Sequence, residues 1–314
     1  MMDGGARHAR CEAPLPMTVP RQILEGTTYL VTRRCSERRF FLRPSKATNA
    51  IAEYLLAVAA ERYGIRIHAY CVLSNHYHFV LTDPHARLPD FHRDLDALVA
   101  RAVNCSIGRW ESLWDRESFS AVRLETREAI LEKMVYVLAN PVDAGLVRRG
   151  MEWPGLWSNE RQLRGSILAV ERPKDFFRSR GPLPAVARLQ LHPPPGFEHD
   201  GAFVDAVLSE LRRAEDRAAA ELGRQGRSFL GVARVLAQKP YARPAACEPR
   251  RTLNPRVASR NKWRRIEALL RLRDFARAHR EALEAWRAGL RDALFPPGTW
   301  LMRVQHQARC GAAF

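Results

Sequence analysis

The stretch that most constrains the fold covers residues 68–81 and reads His-Ala-Tyr-Cys-Val-Leu-Ser-Asn-His-Tyr-His-Phe-Val-Leu. Two apolar runs flank a Ser-Asn turn, which predicts an antiparallel pair of β-strands. Side chains two residues apart on a strand point to the same face. The imidazoles of His76 and His78 are therefore predicted to project side by side, with Tyr77 pointing away. Two imidazoles on a rigid strand are a ready pair of metal ligands, although a His-x-His pair alone is common by chance.

A second informative stretch leads up to Pro141. Apolar residues recur at helical spacing over 130–138, and Pro141 is expected to end this helix at Asn140, because proline disfavours helical geometry in the residue before it. Tyr136 and Asn140 are four residues apart and so share one helical face. If that face meets the histidine strand, two imidazoles, an amide oxygen and a phenol share one site. Such a site can hold a divalent ion and present a tyrosine nucleophile to a phosphodiester. The alternative for Tyr136 is a core aromatic residue.

Three motifs follow one another in order. The first reads Thr-Tyr-Leu-Val-Thr-Arg over 28–33, and the second reads His-Ala-Tyr-Cys-Val-Leu-Ser-Asn-His-Tyr-His over 68–78. The third reads Tyr-Val-Leu-Ala-Asn-Pro-Val-Asp-Ala-Gly-Leu-Val over 136–147. The short motif Trp-Ser-Asn follows at 157–159. With these motifs the chain resembles the REP-associated tyrosine transposases, relatives of the single-tyrosine HUH transposases. The chain departs from the family pattern at Ser74, where proline is usual, at Tyr77, where a smaller apolar residue is usual, and at Asp143, where arginine is usual.

The resemblance implies site residues, a cofactor and a substrate. His76 and His78 match the metal-binding histidines of the family, Asn140 matches a further metal ligand, and Tyr136 matches the nucleophile. Imidazole and amide ligands with open positions suit Mg²⁺ or Mn²⁺ better than a closed zinc site. The implied reaction is cleavage and rejoining of single-stranded or hairpin DNA through a 5′-phosphotyrosine intermediate.

The element order predicts the fold class. Strand and helix patterns alternate as β-α-β-β-α-β followed by the Tyr136 helix, which predicts an α+β fold. Its sheet is expected to be antiparallel and ferredoxin-like, with helices on one face, as in HUH endonucleases. A basic helical domain is expected to follow.

The charge of the chain is large and uneven. The 314 residues carry a formal net charge of +17, and only five of the 51 basic residues are lysine. Arginine makes forked contacts with phosphate and stacks on bases. Residues 221–314 hold 20 basic and 7 acidic residues, a net charge of +13. This distribution predicts nucleic-acid binding, with a solvated basic helix or an arginine-rich genome as the alternatives.

Composition divides the chain into four parts. Residues 1–25 are rich in glycine, proline and alanine without a clear period, and they are predicted to be disordered. Residues 26–165 carry the motifs and are predicted to form the catalytic domain. Residues 166–200 contain many prolines and arginines and are predicted to be a linker. Residues 201–314 are predicted to form a basic, DNA-binding helical domain with one long helix over 259–290.

Six arginines are predicted to contact DNA. Four form a run beside the first strand and two lie near the start of the long helix, namely Arg33, Arg34, Arg38, Arg39, Arg264 and Arg265. For the first four, the alternative is a solvated strand edge that blocks sheet pairing. The apolar stripe of the long helix has a homodimer interface as its alternative interpretation.

Other histidines and the tryptophans have competing interpretations. His68 either supports the metal site through a neighbouring ligand or is a packed strand histidine. His85 and His92 are expected to be surface residues. The tryptophans at 110, 114, 153 and 157 can stack on bases, although core packing is expected for at least half of them.

Several classes of protein are excluded or disfavoured. The six cysteines include no Cys-x-x-Cys pair, which argues against a zinc finger and a disulfide scaffold. No long uncharged apolar run predicts a membrane span, and the N-terminus lacks the apolar core of a secretory signal. The expectation is a cytoplasmic, nucleoid-associated protein with DNA as its partner.

The sequence therefore predicts a metal-dependent DNA strand transferase. The alternative is a domesticated relative that binds DNA or RNA hairpins without cutting them. A His-x-His hydrolase of small substrates fits poorly with a charge of +17.

Overall fold

A five-stranded sheet forms the centre of the computed structural model, which describes residues 20–117, 119–178, 180–197, 201–245 and 255–312. The strands lie in the order β2-β3-β1-β4-β7. Their bounds are Thr27–Arg34 for β1, Arg66–Leu73 for β2, His76–Asp83 for β3, Ser120–Leu124 for β4 and Val257–Ala258 for β7. The predicted α+β class is confirmed. The sheet is mixed, because β7 joins β4 in parallel while the other pairs are antiparallel.

The first two helices begin and end at residues that favour helix boundaries. Helix α1 covers Lys46–Tyr63, and the Ser45 side chain accepts a hydrogen bond from the Thr48 N–H at its start (3.0 Å). Gly64 ends α1 with a φ of 65°, which glycine adopts without the steric cost that a Cβ brings. Helix α2 covers Leu88–Ser106 and begins at a proline in its first turn. The predicted order of elements up to β4 is confirmed.

Helices lie on both faces of the sheet, so the prediction of helices on one face is wrong. Helix α3 covers Arg127–Asp143. The Tyr77 hydroxyl donates to Asp96 of α2 (2.6 Å), whereas the ring of His78 lies 5.3 Å from that of Tyr136 on α3. Since neighbouring side chains on a strand point to opposite faces, α2 and α3 cover opposite faces. The unbroken apolar runs of β2 and β3 are typical of strands that are buried on both sides.

Helix α3 does not end at Asn140, as predicted, but continues through Pro141 to Asp143. A proline removes one helical hydrogen bond and disturbs the turn before it. In that turn, the carbonyl of Leu138 accepts a hydrogen bond from the indole N–H of Trp157 (2.9 Å). Pro141 removes the N–H that would bond the Val137 carbonyl, so the Trp157 bond fixes the next residue rather than replacing the lost one. Beyond the proline, the Ala144 N–H donates to the Asn140 carbonyl (3.0 Å), which completes the last turn.

The segment predicted to be a linker carries its own small sheet. Strands β5 (Leu168–Glu171) and β6 (Val186–Leu189) pair antiparallel, and both contact α1. Helix α4 (Glu160–Leu163) lies before β5, and it begins with a capping box in which Asn159 and Gln162 satisfy each other's backbone N–H groups.

Helix α5 (Gly201–Arg224) packs against α3 rather than starting a separate domain. The buried carboxylate of Glu215 on α5 accepts a hydrogen bond from the Gly150 N–H (2.7 Å) and pairs with Arg149 (3.3 Å). Removing α5 would leave this backbone N–H without its partner. The helix is therefore part of the structure that holds α3.

Two compact units emerge from the chain. One is Ile23–Arg271, which contains the whole sheet, α1 to α5 and the short helix α6 (Val232–Leu236). The other contains Leu272 onward with the described residues before Ile23. Its core is formed by Ala282, Phe295, Met302 and Ala308. The predicted boundary at residue 201 falls inside the first unit, and residues 1–19 of the predicted disordered segment lie outside the described residues.

The long predicted helix is α7 (Lys262–Arg287), and α8 (Leu301–His306) follows it. The predicted apolar stripe of α7 is partly open to solvent, since Trp263 is 76% exposed. Among the described residues, no helix is both long enough and apolar enough to cross a lipid bilayer.

Candidate active site

Two histidines of β3 lie side by side at the end of the sheet. The ring centroids of His76 and His78 are 4.7 Å apart, with the rings nearly perpendicular. Strand β1 pairs with β3 so that Arg34 lies opposite His76 and Thr32 lies opposite His78. The strand places both imidazoles on the α3 face of the sheet, as the two-residue spacing predicts.

Each imidazole is oriented by a hydrogen bond through Nδ1. His76 Nδ1 lies 2.6 Å from the side-chain oxygen of Asn75, and His78 Nδ1 lies 2.8 Å from Oγ1 of Thr32. The Asn75 oxygen accepts from Nδ1–H of His76, which leaves a lone pair on Nε2. The Thr32 hydroxyl can accept from Nδ1–H of His78 and so permits the same tautomer. His78 Nε2 is buried and has no hydrogen-bond partner among the described residues. A buried nitrogen lone pair without a partner is costly, and a metal ion would satisfy it.

Both imidazoles are held in the neutral form that a metal requires. Burial lowers the pKa of His76 to about 3, and the charges of Arg34 and Arg38 contribute to the decrease. Burial also lowers the pKa of His78 well below its ordinary value, and His76 and Arg34 lower it further through their charges. Neutral imidazole is the metal-binding form of histidine, so the site is available at neutral pH.

Helix α3 brings Tyr136 and Asn140 to the same place. Tyr136 is 40% exposed, and its ring meets that of His78 edge to face at 5.3 Å. Asn140 is buried, and its Nδ2 donates to the backbone carbonyl of Tyr136 (3.3 Å). This bond occupies the nitrogen of the amide, so the oxygen is the end available to a cation. The structure therefore places a partly exposed phenol, a neutral imidazole and an amide on one face.

The donor set fits a divalent ion that keeps open positions. Nowhere in the described parts of the chain do three or more His, Cys, Asp or Glu side chains converge in a metal-binding group. The predicted set of two imidazoles and one amide oxygen would leave the remaining positions to water or phosphate oxygens. Imidazole and oxygen ligands together suit Mn²⁺, and Mg²⁺ commonly keeps several waters.

Cations surround this site. Arg34 is exposed at the end of β1, next to His76. Lys133, one turn before Tyr136 on α3, has its Nζ 5.7 Å from the centre of the phenol ring. Lys133 also pairs with Glu132 (2.9 Å). Arg34 and Lys133 thus place positive charge beside His76 and the phenol, where it would attract an anionic ligand.

The other predicted DNA-binding arginines have different surroundings. Arg33 lies on the α2 face, where it pairs with Asp96 (3.6 Å) and donates to the Glu117 carbonyl. Arg39 pairs with Glu37 (2.7 Å). Arg38 is partly exposed, and its positive charge contributes to the lowered pKa of His76. Contacts of these side chains with DNA stay predictions.

Arg264 and Arg265 are both exposed in the first turn of α7. Arg264 lines an open cavity with Arg127 and Arg260, beside the start of α3. Arg265 lines a neighbouring groove with Lys133. Glu125 and Glu128 also line the cavity and Glu132 lines the groove, so these arginines bring positive charge to the start of α3 among carboxylates.

A buried polar cluster on the opposite face was not predicted. Tyr77, between the two histidines, donates to Asp96, and its hydroxyl also lies 3.1 Å from Nδ1 of His92. His92 is 1% exposed and stacks on Phe119 with ring centroids 4.0 Å apart, so its prediction as a surface residue is wrong. The aromatic Phe119 and Tyr77 enclose it, although both are distant in sequence. The spacing of four residues between His92 and Asp96 on α2 was the feature of the sequence that could have indicated this pairing.

We expect Asp96 to make the stability of the fold depend on pH. Burial is the main cause that raises the pKa of Asp96 to about 7, against an ordinary value of 3.8. The folded state therefore binds a proton that the unfolded state releases. The contribution of Asp96 to stability is greatest below pH 4 and is lost as the pH rises toward 7. Since one pKa unit corresponds to about 1.4 kcal/mol, the loss is on the order of a few kcal/mol.

The measurement is urea unfolding of the wild type and Asp96→Asn at several pH values from 4 to 8. Asparagine keeps an oxygen acceptor for Tyr77 but does not titrate. The stability of Asp96→Asn should decline less than that of the wild type over this range. Parallel pH profiles for the two proteins would show that Asp96 is charged in the fold at all these values.

The remaining motif residues have structural roles. His68 is 1% exposed and lies 2.7 Å from Thr82 and 2.6 Å from the His192 carbonyl, which makes it a packed strand histidine. Trp153 and Trp157 donate to backbone carbonyls of β2 and α3, respectively. Burial raises the pKa of Asp143, and the positive charge of Arg217 on α5 opposes this increase.

Comparison with known proteins adds two structural likenesses. No family model matches the chain, and no curated protein matches it. The fold is similar to that of a REP-associated tyrosine transposase. That structure, solved bound to a REP hairpin, has 18% sequence identity and a TM-score of 0.39, and the match covers 46% of this chain and 83% of that one. The structure of a candidate transposase from Deinococcus radiodurans R1 has 18% sequence identity to this chain and a TM-score of 0.28. That match covers 38% of this chain and 95% of the other. The function proposed below rests on the residues of this chain and their geometry.

Proposed function

We propose that this chain cleaves and rejoins single-stranded or hairpin DNA in the manner of an HUH tyrosine transposase. The observation that carries the proposal is the placement of Tyr136, a partly exposed phenol whose ring lies 5.3 Å from His78. His78 in turn presents a buried Nε2 without a partner in the described residues. A phenol beside an imidazole nitrogen that is free to bind a metal suits metal-assisted cleavage of a phosphodiester by a tyrosine nucleophile.

The chemistry assigns one role to each residue. The Tyr136 oxygen attacks phosphorus, the bond from phosphorus to the 3′ oxygen breaks, and the 5′ phosphate becomes linked to the tyrosine. The phenol proton leaves to solvent, and the departing 3′ oxygen takes up a proton. His76, His78 and Asn140 would hold a Mg²⁺ or Mn²⁺ ion, which when bound polarises the scissile phosphate. Attack of a second 3′ hydroxyl on the phosphotyrosine reverses these steps and rejoins a strand.

Charge favours DNA as the substrate. Arg34 and Lys133 flank the phenol and the histidines, and the arginines of α7 bring positive charge to the start of α3. Contacts of arginine and lysine with phosphate provide affinity that does not depend on base sequence. The similar transposase was solved with a REP hairpin, which makes a short DNA hairpin the first substrate to test. The decisive test is a covalent protein–DNA adduct that depends on Tyr136.

We predict that Arg264 and Arg265 contribute to DNA affinity through phosphate contacts. Replacing both with alanine should lower the slope of log affinity against log salt by about 1.8, since each neutralised phosphate contributes about 0.9. The matched control is Arg212→Ala with Arg213→Ala, two exposed arginines of α5 that change the net charge equally. Binding is measured by fluorescence anisotropy with a labelled hairpin at several salt concentrations. Equal slopes for the two double variants would remove α7 from the DNA-binding surface.

A further inference from the structure

We propose that Trp110 and Tyr241 form a stacking surface for unpaired DNA bases at the edge of the histidine site. This inference rests on the proposed function and adds to it a subsite for the single-stranded flank of the substrate. Trp110 is 92% exposed, the largest fraction among the large hydrophobic residues that the structure describes. An indole this exposed contributes little to folding, whereas every base has a π-face that can stack on it.

The loop that carries Trp110 is held rigid from within. The Arg109 guanidinium donates to the backbone carbonyls of Glu111 (2.7 Å) and Ser112 (2.8 Å). The same guanidinium lies over the ring of Phe41, 4.4 Å from its centroid. A loop closed by its own arginine presents Trp110 in one place, which lowers the entropic cost of stacking a base on it.

Backbone hydrogen bonds connect this loop to the histidine site. The Asp115 N–H donates to the Arg34 carbonyl (3.0 Å), and the Ser36 N–H donates to the Leu113 carbonyl (2.9 Å). Arg34 is the strand partner of His76. The chain that carries Trp110 thus leads directly to the strand end where the histidines lie.

Tyr241 comes from a distant part of the sequence and lies against the same loop. Its hydroxyl donates to the Ile107 carbonyl (3.1 Å), and its ring meets that of Phe41 edge to face at 6.0 Å. It remains 49% exposed. Gln238, three residues earlier, has its side-chain oxygen 2.6 Å from the hydroxyl of Ser74 in the turn before His76. The segment with Tyr241 is therefore fixed to both the Trp110 loop and the histidine turn.

The charges around the two aromatic residues favour DNA over an apolar partner. Four cations flank these segments in the chain without a carboxylate partner among the described residues, namely Arg34 at the end of β1, Arg38 after it, and Lys239 and Arg243 on either side of Tyr241. They outnumber the carboxylate of Asp115 in the Trp110 segment. The nearby carboxylate of Glu111 is paired with Arg109 (3.4 Å). Exposed aromatic rings interleaved with unpaired cations are typical of surfaces that bind single strands, where bases stack and phosphates meet the charges.

The test compares two DNA probes on the full chain in a buffer with a chelator, which stops cleavage. One probe is a blunt hairpin, and the other has the same stem with a single-stranded flank of about ten nucleotides, within the usual span of such sites. Trp110→Ala should raise the Kd for the flanked hairpin roughly 10-fold and leave that for the blunt hairpin unchanged. Trp110→Phe should retain most of the affinity. Met151→Ala removes an apolar side chain that is 79% exposed, outside both the Trp110 loop and α7, and is the control.

Each outcome decides one proposal. Equal affinity of Trp110→Ala and the wild type for the flanked hairpin overturns the stacking surface, as does an equal loss with Met151→Ala. Equal weakening on both probes also overturns it, because the effect is then not specific to unpaired bases. Adduct formation with Mn²⁺ is measured separately on the wild type. Flank binding that depends on Trp110 without any adduct contradicts the cleavage proposal alone, and an adduct without that dependence contradicts the stacking surface alone.

Discussion

Replacing Tyr136 with phenylalanine is expected to abolish the covalent adduct between this protein and hairpin DNA. The phenol oxygen is the proposed nucleophile, and loss of a nucleophile lowers the rate by at least about a thousandfold. Folding should not change, because Tyr136 is 40% exposed and its hydroxyl has no hydrogen-bond partner in the described residues. The measurement is incubation with a labelled hairpin and Mn²⁺, followed by a denaturing gel.

Tyr63→Phe is the control for this substitution. It removes the same hydroxyl from a tyrosine of α1 that hydrogen-bonds to Asp94 of α2, on the opposite face of the sheet from Tyr136. It should form as much adduct as the wild type. An undiminished adduct with Tyr136→Phe would assign the nucleophile to another residue. Tight hairpin binding by the wild type without any adduct, in Mg²⁺ or Mn²⁺, would favour the alternative of a binding protein that does not cut.

Replacing His76 and His78 with alanine is expected to remove cleavage and metal binding together while hairpin affinity changes little. Both imidazoles are held neutral by burial and each is oriented through Nδ1. Without them the proposed ion loses two of its three protein ligands, and phosphate contacts from arginines remain. We expect cleavage to fall to background and Mn²⁺ affinity to fall by at least about a hundredfold, since removing even an outer-shell partner of a metal ligand costs 10–100-fold.

Mn²⁺ binding to the full chain can be followed by calorimetry or electron paramagnetic resonance, independently of activity. His85→Ala is the control, because His85 is an exposed histidine at the far end of β3. Thermal unfolding of each variant reports any loss of structure caused by breaking the bond from Thr32 to His78. Unchanged Mn²⁺ binding and cleavage in the double variant would place the metal elsewhere or show that none is needed.

The sequence by itself determined the local features of this protein. The serine before α1 and the glycine after it specified both ends of that helix, because capping depends on residues adjacent in the chain. Thr126 specified the start of α3 in the same way. The shared face of His76 and His78 followed from the two-residue period of a strand. The four-residue spacing of Tyr136 and Asn140 likewise put both on one side of a helix.

Only the tertiary structure decided how these features meet. Arg33 pairs with Asp96, and His92 stacks on Phe119. No local pattern in the sequence connects the two members of either pair. The turn of α3 before Pro141 is fixed by a hydrogen bond from Trp157, which lies outside the helix. The packing of α5 on α3 and of β5 and β6 on α1 likewise joins segments far apart in the chain. These contacts are set by burial and by the need to satisfy buried polar groups, which act between residues that are near in space rather than in sequence.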